Sequence, residues 1–360
     1  MKKGWQTKTL GDVCHVYQPE TISQKQMIAG EFRVYGANGQ IGWHNQFNHE
    51  EPELILGCRG SCGTVHVTEP RSWINGNAMV VHPTNGAMDI SFLAYALKGG
   101  IELTDAITGA AQPQITRTSL MPLVISFPES LAEQQRIVGL LDEAFEGLAT
   151  AKANAEKTLQ NARALFESHL QSVFTQRGPG WVETTLDKIS TNLDSKRVPI
   201  TKNVRSSGEF PYYGASGIVD YVANFIFEGD NLLISEDGAN LLARSTPIAF
   251  SVSGKYWVNN HAHILKFENM ATQRFVEFYL ESIKLDDYIT GAAQPKLNQK
   301  ALNSIPIPIP KSVETQAKIV ESVESLQEET QRLARLYAQK LAALEALKKS
   351  LLHQAFTGAL

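Results

Sequence analysis

The hexapeptide Thr108-Gly109-Ala110-Ala111-Gln112-Pro113 returns as Thr290-Gly291-Ala292-Ala293-Gln294-Pro295, displaced by 182 positions in a chain of 360 residues. The same displacement carries Leu120 onto Leu302, Pro128 onto Pro310, Gln134-x-x-Ile137 onto Gln316-x-x-Ile319, and Phe174-Thr175 onto Phe356-Thr357. A chance identity of six residues does not hold one displacement from Thr108 to Thr175, so the chain is a tandem duplication. Each copy is a turn, a short proline-bearing strand and a long helix. Upstream the match persists with a drifting offset: 176 for Trp5-x-x-x-Thr9-Leu10 against Trp181-x-x-x-Thr185-Leu186, 178 for Tyr35-Gly36-Ala37-Asn38-Gly39 against Tyr213-Gly214-Ala215-Ser216-Gly217, and 184 for Trp73-x-Asn75 against Trp257-x-Asn259. Elements are kept while the loops between them change length.

Residues 1–105 hold short apolar runs such as Leu54-Ile55-Leu56-Gly57 and Ala78-Met79-Val80-Val81, punctuated by Gly, Pro and Asn, which predicts a strand-rich globule with tight turns. A short helix is expected over residues 89–97, stopped by Gly99-Gly100, with its counterpart over 272–280. After Pro128, apolar residues recur at three- and four-residue steps from Ile137 to Val173, and after Pro310 from Ile319 to Leu351. Each periodic stretch predicts a helix roughly 60 Å long at 1.5 Å per residue. A single apolar stripe of that length needs a partner with the same seam, and the other copy supplies one. An antiparallel pair is favoured because it relates two identical units by a pseudo-two-fold axis. The chain therefore divides into a globule (1–128), a long helix (129–177), a second globule (178–310) and a second long helix (311–360).

The formal net charge is −4, which is unusual for a nucleic-acid binder until the charges are placed. In the first part of each long helix the acids dominate, Glu129, Glu133, Asp142, Glu143 and Glu146 facing only Arg136 and Glu314, Glu321, Glu324, Glu328 and Glu329 facing only Lys318, while the globules carry exposed-looking cations, so a local phosphate-facing surface is compatible with an acidic total. No apolar run of eighteen residues occurs and the first residues do not resemble a signal peptide, so a cytoplasmic protein without membrane contact is expected. Three cysteines make no disulfide framework. Cys58, Cys62 and His66 have ligand-like spacing, but the aligned residues of the second half are Glu236, Asn240 and Arg244 and no fourth ligand lies nearby, so buried thiols are expected instead of zinc. His261 and His263 are a second weak metal signal, absent from the first half.

No phosphate-binding loop, dinucleotide fingerprint, nucleophile elbow or zinc-protease motif is present, and no Asn-Pro-Pro-aromatic tetrapeptide of the kind amino-methyltransferases place around a flipped base. Catalysis has no motif to rest on.

The ordered combination of the Thr-Gly-Ala-Ala-Gln-Pro turn, the strand Ile305-Pro306-Ile307-Pro308-Ile309-Pro310, the helix starts at Gln134 and Gln316 and the ending Ala355-Phe356-Thr357-Gly358 resembles the specificity (S) subunit of type I restriction-modification enzymes. The first copy departs with Leu123-Val124-Ile125-Ser126-Phe127-Pro128 in place of the proline-rich strand, and the second has Thr315 where the first has Glu133. The resemblance implies an α+β fold: two strand-rich target recognition domains separated by two long helices that form an antiparallel coiled coil. It further implies a non-catalytic reader of a bipartite, asymmetric site in double-stranded DNA. Its partners would be two modification (M) subunits and restriction (R) subunits, which would carry S-adenosylmethionine and ATP, the chain itself holding no cofactor.

Loops that vary between copies of one scaffold are free to present different side chains to base edges. That places DNA-binding candidates at Arg59, Ser61, His66 and Arg71 in the first half, and at Lys196, Arg197, Lys202, Arg244 and Lys255 in the second. Gln112 and Gln294, kept in both copies, are expected to secure the turn, and Tyr35 and Tyr213 to be core or hinge residues. The competing class is a pseudo-symmetric coiled-coil scaffold that binds proteins and never meets DNA, supported by the net charge of −4.

Overall fold

The computed structural model describes residues 3–84, 86–109, 112–291 and 294–360. Ala110-Ala111 and Ala292-Ala293, the centre of each hexapeptide, lie outside the described residues. The chain forms two compact units, Met1–Glu156 with Ala338–Leu360, and Lys157–Tyr337. Each long helix is thus divided between them.

The first unit runs β1 (Trp5–Thr9), α1 (Leu10–Val13), β2 (Cys14–Tyr17), β3 (Phe32–Gly36), β4 (Gly39–His44), β5 (Leu54–Gly57), β6 (Val65–Val67), β7 (Trp73–Ile74), β8 (Ala78–Pro83), α2 (Ile90–Tyr95), β9 (Ile107–Thr108), β10 (Gln114–Ile115), α3 (Arg117–Leu120), β11 (Val124–Pro128) and the start of α4 (Leu131–Thr175). One sheet has the order β2-β8-β5-β6 and a second β4-β3-β7, while β1 pairs with β11. Strand β5 is central, and its alternation divides the core: Leu54 and Leu56 face Phe92 and Leu93 of α2, whereas Ile55 faces Tyr35, Ile74 and Val80. A strand buried on both faces has to be apolar at every position, and Leu54-Ile55-Leu56 is.

The second unit repeats this plan: β12 (Trp181–Thr185), α5 (Leu186–Ile189), β13 (Ser190–Asn192), β14 (Ser207–Gly214), β15 (Gly217–Val222), β16 (Phe227–Glu228), β17 (Asn231–Ser235), α6 (Asn240–Ala243), β18 (Ala249–Val252), β19 (Lys255–Val258), β20 (Ala262–Phe267), α7 (Met270–Ser282), α8 (Gln299–Ser304), β21 (Pro306–Pro310) and the start of α9 (Val313–Thr357). Its sheets have the orders β13-β20-β17-β18 and β15-β14-β19-β16, and β12 pairs with β21. Apart from β16, which has no counterpart strand in the first unit, the order is the same, and register follows it. Trp5 opposes Pro128 as Trp181 opposes Pro310, and Val34 runs parallel beside Trp73 as Tyr212 does beside Trp257. Both copies shift register at the same place, between Val34 and Tyr35 and between Tyr212 and Tyr213.

Strand β21 carries prolines at 306, 308 and 310 and still pairs along its length, because the prolines alternate with Ile307 and Ile309. Missing N–H groups then fall on one edge, away from the pairing partner. The isoleucines point into the core.

Within each unit the helix segments run in opposite directions. In the first, Arg136 of α4 donates to the carbonyl of Leu360 at 3.3 Å and Lys152 pairs with Glu345 at 2.9 Å, so numbers rise on one helix as they fall on the other. Ile137 and Leu141 of α4 share that core with Leu352, Ala355 and Phe356 of α9. In the second, the end of α4 (Leu170, Phe174) meets the early part of α9 (Val320, Val323). The Ala-Phe-Thr ending of α9 docks on the first globule, Phe356 lying edge-on to Phe92 at 5.2 Å, and Phe174 of α4 makes the matching contact with Phe275 at 5.2 Å.

Candidate nucleic-acid interface

The conserved turn is held in the same way in both units. Gly109 and Gly291 have φ of +85°, a conformation that favours glycine, and a Cβ on Gly109 would lie 2.7 Å from the carbonyl oxygen of Gln112. The threonine hydroxyl closes the turn onto the carbonyl six residues on, Thr108 to Gln114 at 3.2 Å and Thr290 to Lys296 at 3.3 Å. The returning strand then docks on the loop that leaves the central sheet, Ile115 N donating to Cys58 O at 3.0 Å and Leu297 N to Glu236 O at 2.8 Å. This places Arg59 opposite Gln114 in a bridge, and Asp237 opposite Lys296. Gln112 and Gln294 are exposed.

In the first unit Arg59 is exposed and lines a concavity with Gly60, Gln112, Pro113 and Gln114. Ser61 follows on the same loop, half-buried, its carbonyl accepting from the Thr64 hydroxyl at 2.9 Å. His66 sits on β6 with its ring against Gly39, whose Cβ would lie 3.2 Å from Cε1. Its Nε2 is buried without a partner among the described residues, and burial, then Lys98, pushes the imidazole below its ordinary pKa. Arg71 lies on another turn, paired with Glu50 at 2.9 Å and lying over Phe47 at 6.0 Å.

In the second unit Lys196, Lys202 and Lys255 are exposed, the Lys255 ammonium standing over Phe225 at 4.8 Å. The two arginines are held inward. Arg197 is 12% exposed and its guanidinium bonds Glu236 at 2.7 Å and the Ala262 carbonyl at 2.6 Å, with Asp194 at 3.5 Å. Arg244 closes α6 in a left-handed conformation (φ +50°) and donates to the last carbonyls of α7, Leu280 at 3.2 Å and Ile283 at 2.8 Å. A cation on a helix C-terminus is a structural contact, and burial pulls this guanidinium below its usual pKa. Both side chains belong to the scaffold of the domain.

His261 and His263, the weak metal signal, take separate hydrogen-bond partners. His261 reaches Asp237 at 2.9 Å, whereas His263 is buried between Asp194 at 2.5 Å and the Leu297 carbonyl at 2.7 Å. Asp194, Glu236 and His263 form a grouping at metal-ligand distance, within 4.8 Å of one another. Their acceptor atoms already face Arg197 and Lys296, the latter 3.2 Å from Glu236, so the cluster is an ion-pair network. Burial alone would raise Asp194 and Glu236. Together the His263, Ile264 amide and Arg197 contacts of Asp194, and the Arg197, His263 and Lys296 contacts of Glu236, outweigh it and hold both carboxyls below the ordinary range. In the first half, Cys58 donates to the Asn77 carbonyl at 3.1 Å and Cys62 to the Pro113 carbonyl at 3.0 Å, so both thiols fasten loops.

Asp237 and Lys296 fall outside the pattern of cations in loops of variable length, and His261 stands out in the sequence only as a weak metal signal. The signal was available, since the offset of 178 puts Asp237 opposite Arg59 and the offset of 182 puts Lys296 opposite Gln114.

The profile of the type I restriction modification DNA specificity domain matches residues 2–159 and again 179–343. The chain belongs to this family. A Haemophilus influenzae protein that carries the name of a type I restriction enzyme specificity subunit is 34% identical over 173 residues, which span 48% of this chain and 43% of that protein. The match therefore spans less than half of that relative. Among solved structures, a chain from work on complex assembly and conformational transition of the type I restriction-modification system aligns over 100% of this chain and 99% of its own at 16% identity, with a TM-score of 0.79. The HsdS subunit of Thermoanaerobacter tengcongensis aligns over 100% and 98% at 17% identity, with a TM-score of 0.62. At these identities the structural matches speak to the fold, and they agree with the duplicated α+β architecture of this specificity-domain protein. No helix among the described residues is long and apolar enough to cross a membrane.

Proposed function

We propose that this chain is the DNA sequence-reading subunit of a type I restriction-modification system, each unit reading one half of a bipartite, asymmetric site in double-stranded DNA. The observation that carries this is the duplicated specificity domain: one strand order and one register, presenting different side chains on the same loops. Two readers built on one scaffold bind two short sequences, and the helices that join them set the interval left unread. The chain itself is non-catalytic. Two modification subunits dock on it and methylate adenine with S-adenosylmethionine, and restriction subunits supply ATP-driven translocation and cleavage. It works in the cytoplasm, where the DNA is.

The contact residues proposed are Arg59, Ser61, His66 and Arg71 in the first unit and Lys196, Lys202 and Lys255 in the second, with arginine and lysine suited to guanine edges or phosphates. Arg197 and Arg244 position loops that carry such residues. The test is methylome sequencing of cells that express the chain with its modification subunits. A two-part adenine-methylation motif with a fixed unread gap is the expected result; unchanged methylation on deletion of the chain, with purified protein that shifts no duplex, would favour the scaffold class instead.

A further inference from the structure

The turn kept in both copies serves as a shelf, and the residues it carries differ. In each unit the strand leaving the turn bridges the loop leaving the central sheet, with the same backbone hydrogen bonds: Ile115 N to Cys58 O at 3.0 Å, and Leu297 N to Glu236 O at 2.8 Å. Across that bridge the first unit opposes Arg59 to Gln114 and the second opposes Asp237 to Lys296. One backbone thus presents a guanidinium with a carboxamide on one side of the duplication, and a carboxylate with an ammonium on the other.

Exposure and partners argue that these side chains face something outside the domain. Arg59 and Gln114 are both exposed, they line one concavity, and neither side chain has a hydrogen-bond partner among the described residues. The first unit thus leaves this guanidinium unengaged, in contrast to Arg197 and Arg244 of the second. In the second unit Lys296 is 52% exposed and reaches Glu236 at 3.2 Å, while Asp237, 16% exposed, is bonded by the 48% exposed His261 at 2.9 Å, so ammonium and carboxylate are each held in a fixed orientation by one neighbour.

We infer that the bridged pair is the specificity-determining pair of each unit: Arg59 with Gln114 reads base edges in one half-site, and Asp237 with Lys296 in the other. This rests on the DNA-reading function proposed above. The chemistry of each pair fits base edges. A guanidinium donates to guanine O6 and N7, a carboxamide matches the donor and acceptor of adenine, a carboxylate accepts from an exocyclic amine, and an ammonium donates to guanine. The conserved turn would then be kept because it fixes where the variable pair stands, and exchange of the pair would change the sequence read without disturbing the fold.

The experiment is a mobility-shift titration of the complex of this chain with its modification subunits. The probes are duplexes in which each base pair of the two half-sites is substituted in turn. The variants are R59D/Q114K, which gives the first unit the second unit's pair, and R59A/Q114A, scored by the same readout if the first variant melts early. The expected result is a loss of discrimination of about tenfold or more at one or two base pairs of the first half-site, with the second half-site read as before. A uniform weakening on every duplex, as a phosphate contact produces, would overturn the assignment, and so would an unchanged profile. An unsubstituted complex that does not distinguish its methylated motif from unrelated DNA would instead remove the underlying function, an outcome visible before any variant is made.

Discussion

At the scale of single residues, the side chains shared by both copies are joints. Gln134 is fully buried, donates to the carbonyls of Pro128 at 2.8 Å and Ala87 at 3.0 Å, and accepts from the Asp89 amide at 2.8 Å. Gln316 repeats the joint through Pro310 at 2.7 Å and Thr272 at 2.7 Å. The sequence showed that these glutamines recur, but their role became visible only once strand end, short helix and long helix met at one point. Charge was less legible. Arg244 and Arg59 both read as loop cations, yet one holds a helix end and the other is exposed with no partner among the described residues, because burial depends on which carbonyls fold back to meet the guanidinium. R244A should therefore lower stability by about 1–3 kcal/mol, the range for a charge-assisted hydrogen bond, while R59A leaves the melting temperature unchanged and weakens DNA binding. Paired thermal melts and mobility shifts check the contrast. A second outcome follows from Asp194 and Glu236. Their folded-state pKa values are depressed, so the stabilisation they give is complete above the unfolded carboxylate value of about 4 and is lost as pH falls through the lower folded values. The melting temperature should drop as pH falls below about 4, and D194N should flatten that drop in acid melts.

At the scale of elements, each long helix is fixed at both ends by contacts its own apolar stripe announces only in part. The periodicity of Ile137, Leu141 and their successors predicted a partnered helix, and helix segments from the two copies do pack against each other. It did not indicate where α9 would dock. That is set by Gly99 and Gly100, whose lack of side chains admits Leu352 and Phe356; a Cβ on Gly99 would stand 2.7 Å from Leu352 Cδ1, and one on Gly100 would collide with the Phe356 ring. The sequence marked these glycines as a helix stop, whereas close approach is the stronger constraint. F356A should cost about 3–5 kcal/mol through the cavity left against Phe92, and G100V about 1–3 kcal/mol through overpacking. Chemical denaturation of the two variants tests this, and the prediction fails if G100V leaves the midpoint where it was.

At the scale of the molecule, duplication explains why so much was legible. One displacement, held from turn to helix end, is enough to predict two copies of one fold, and the copies share strand order, bulge position and pairing register. The proposed readers are less legible because they lie where the copies differ, and a difference carries meaning only against a frame. Asp237 gains significance from standing at the position of Arg59, which the bridge to the turn establishes.

In the function proposed above, the paired helices set the interval between two independently read half-sites. Inserting one helical turn, four residues, into α4 and into α9 at facing positions of one unit changes the helix length and no globule residue. Methylome sequencing of that variant in complex with its modification subunits measures the consequence directly. Both half-sites retained with an altered number of unread base pairs between them is the result expected; an unchanged gap, or altered half-sites across an unaltered gap, would contradict it.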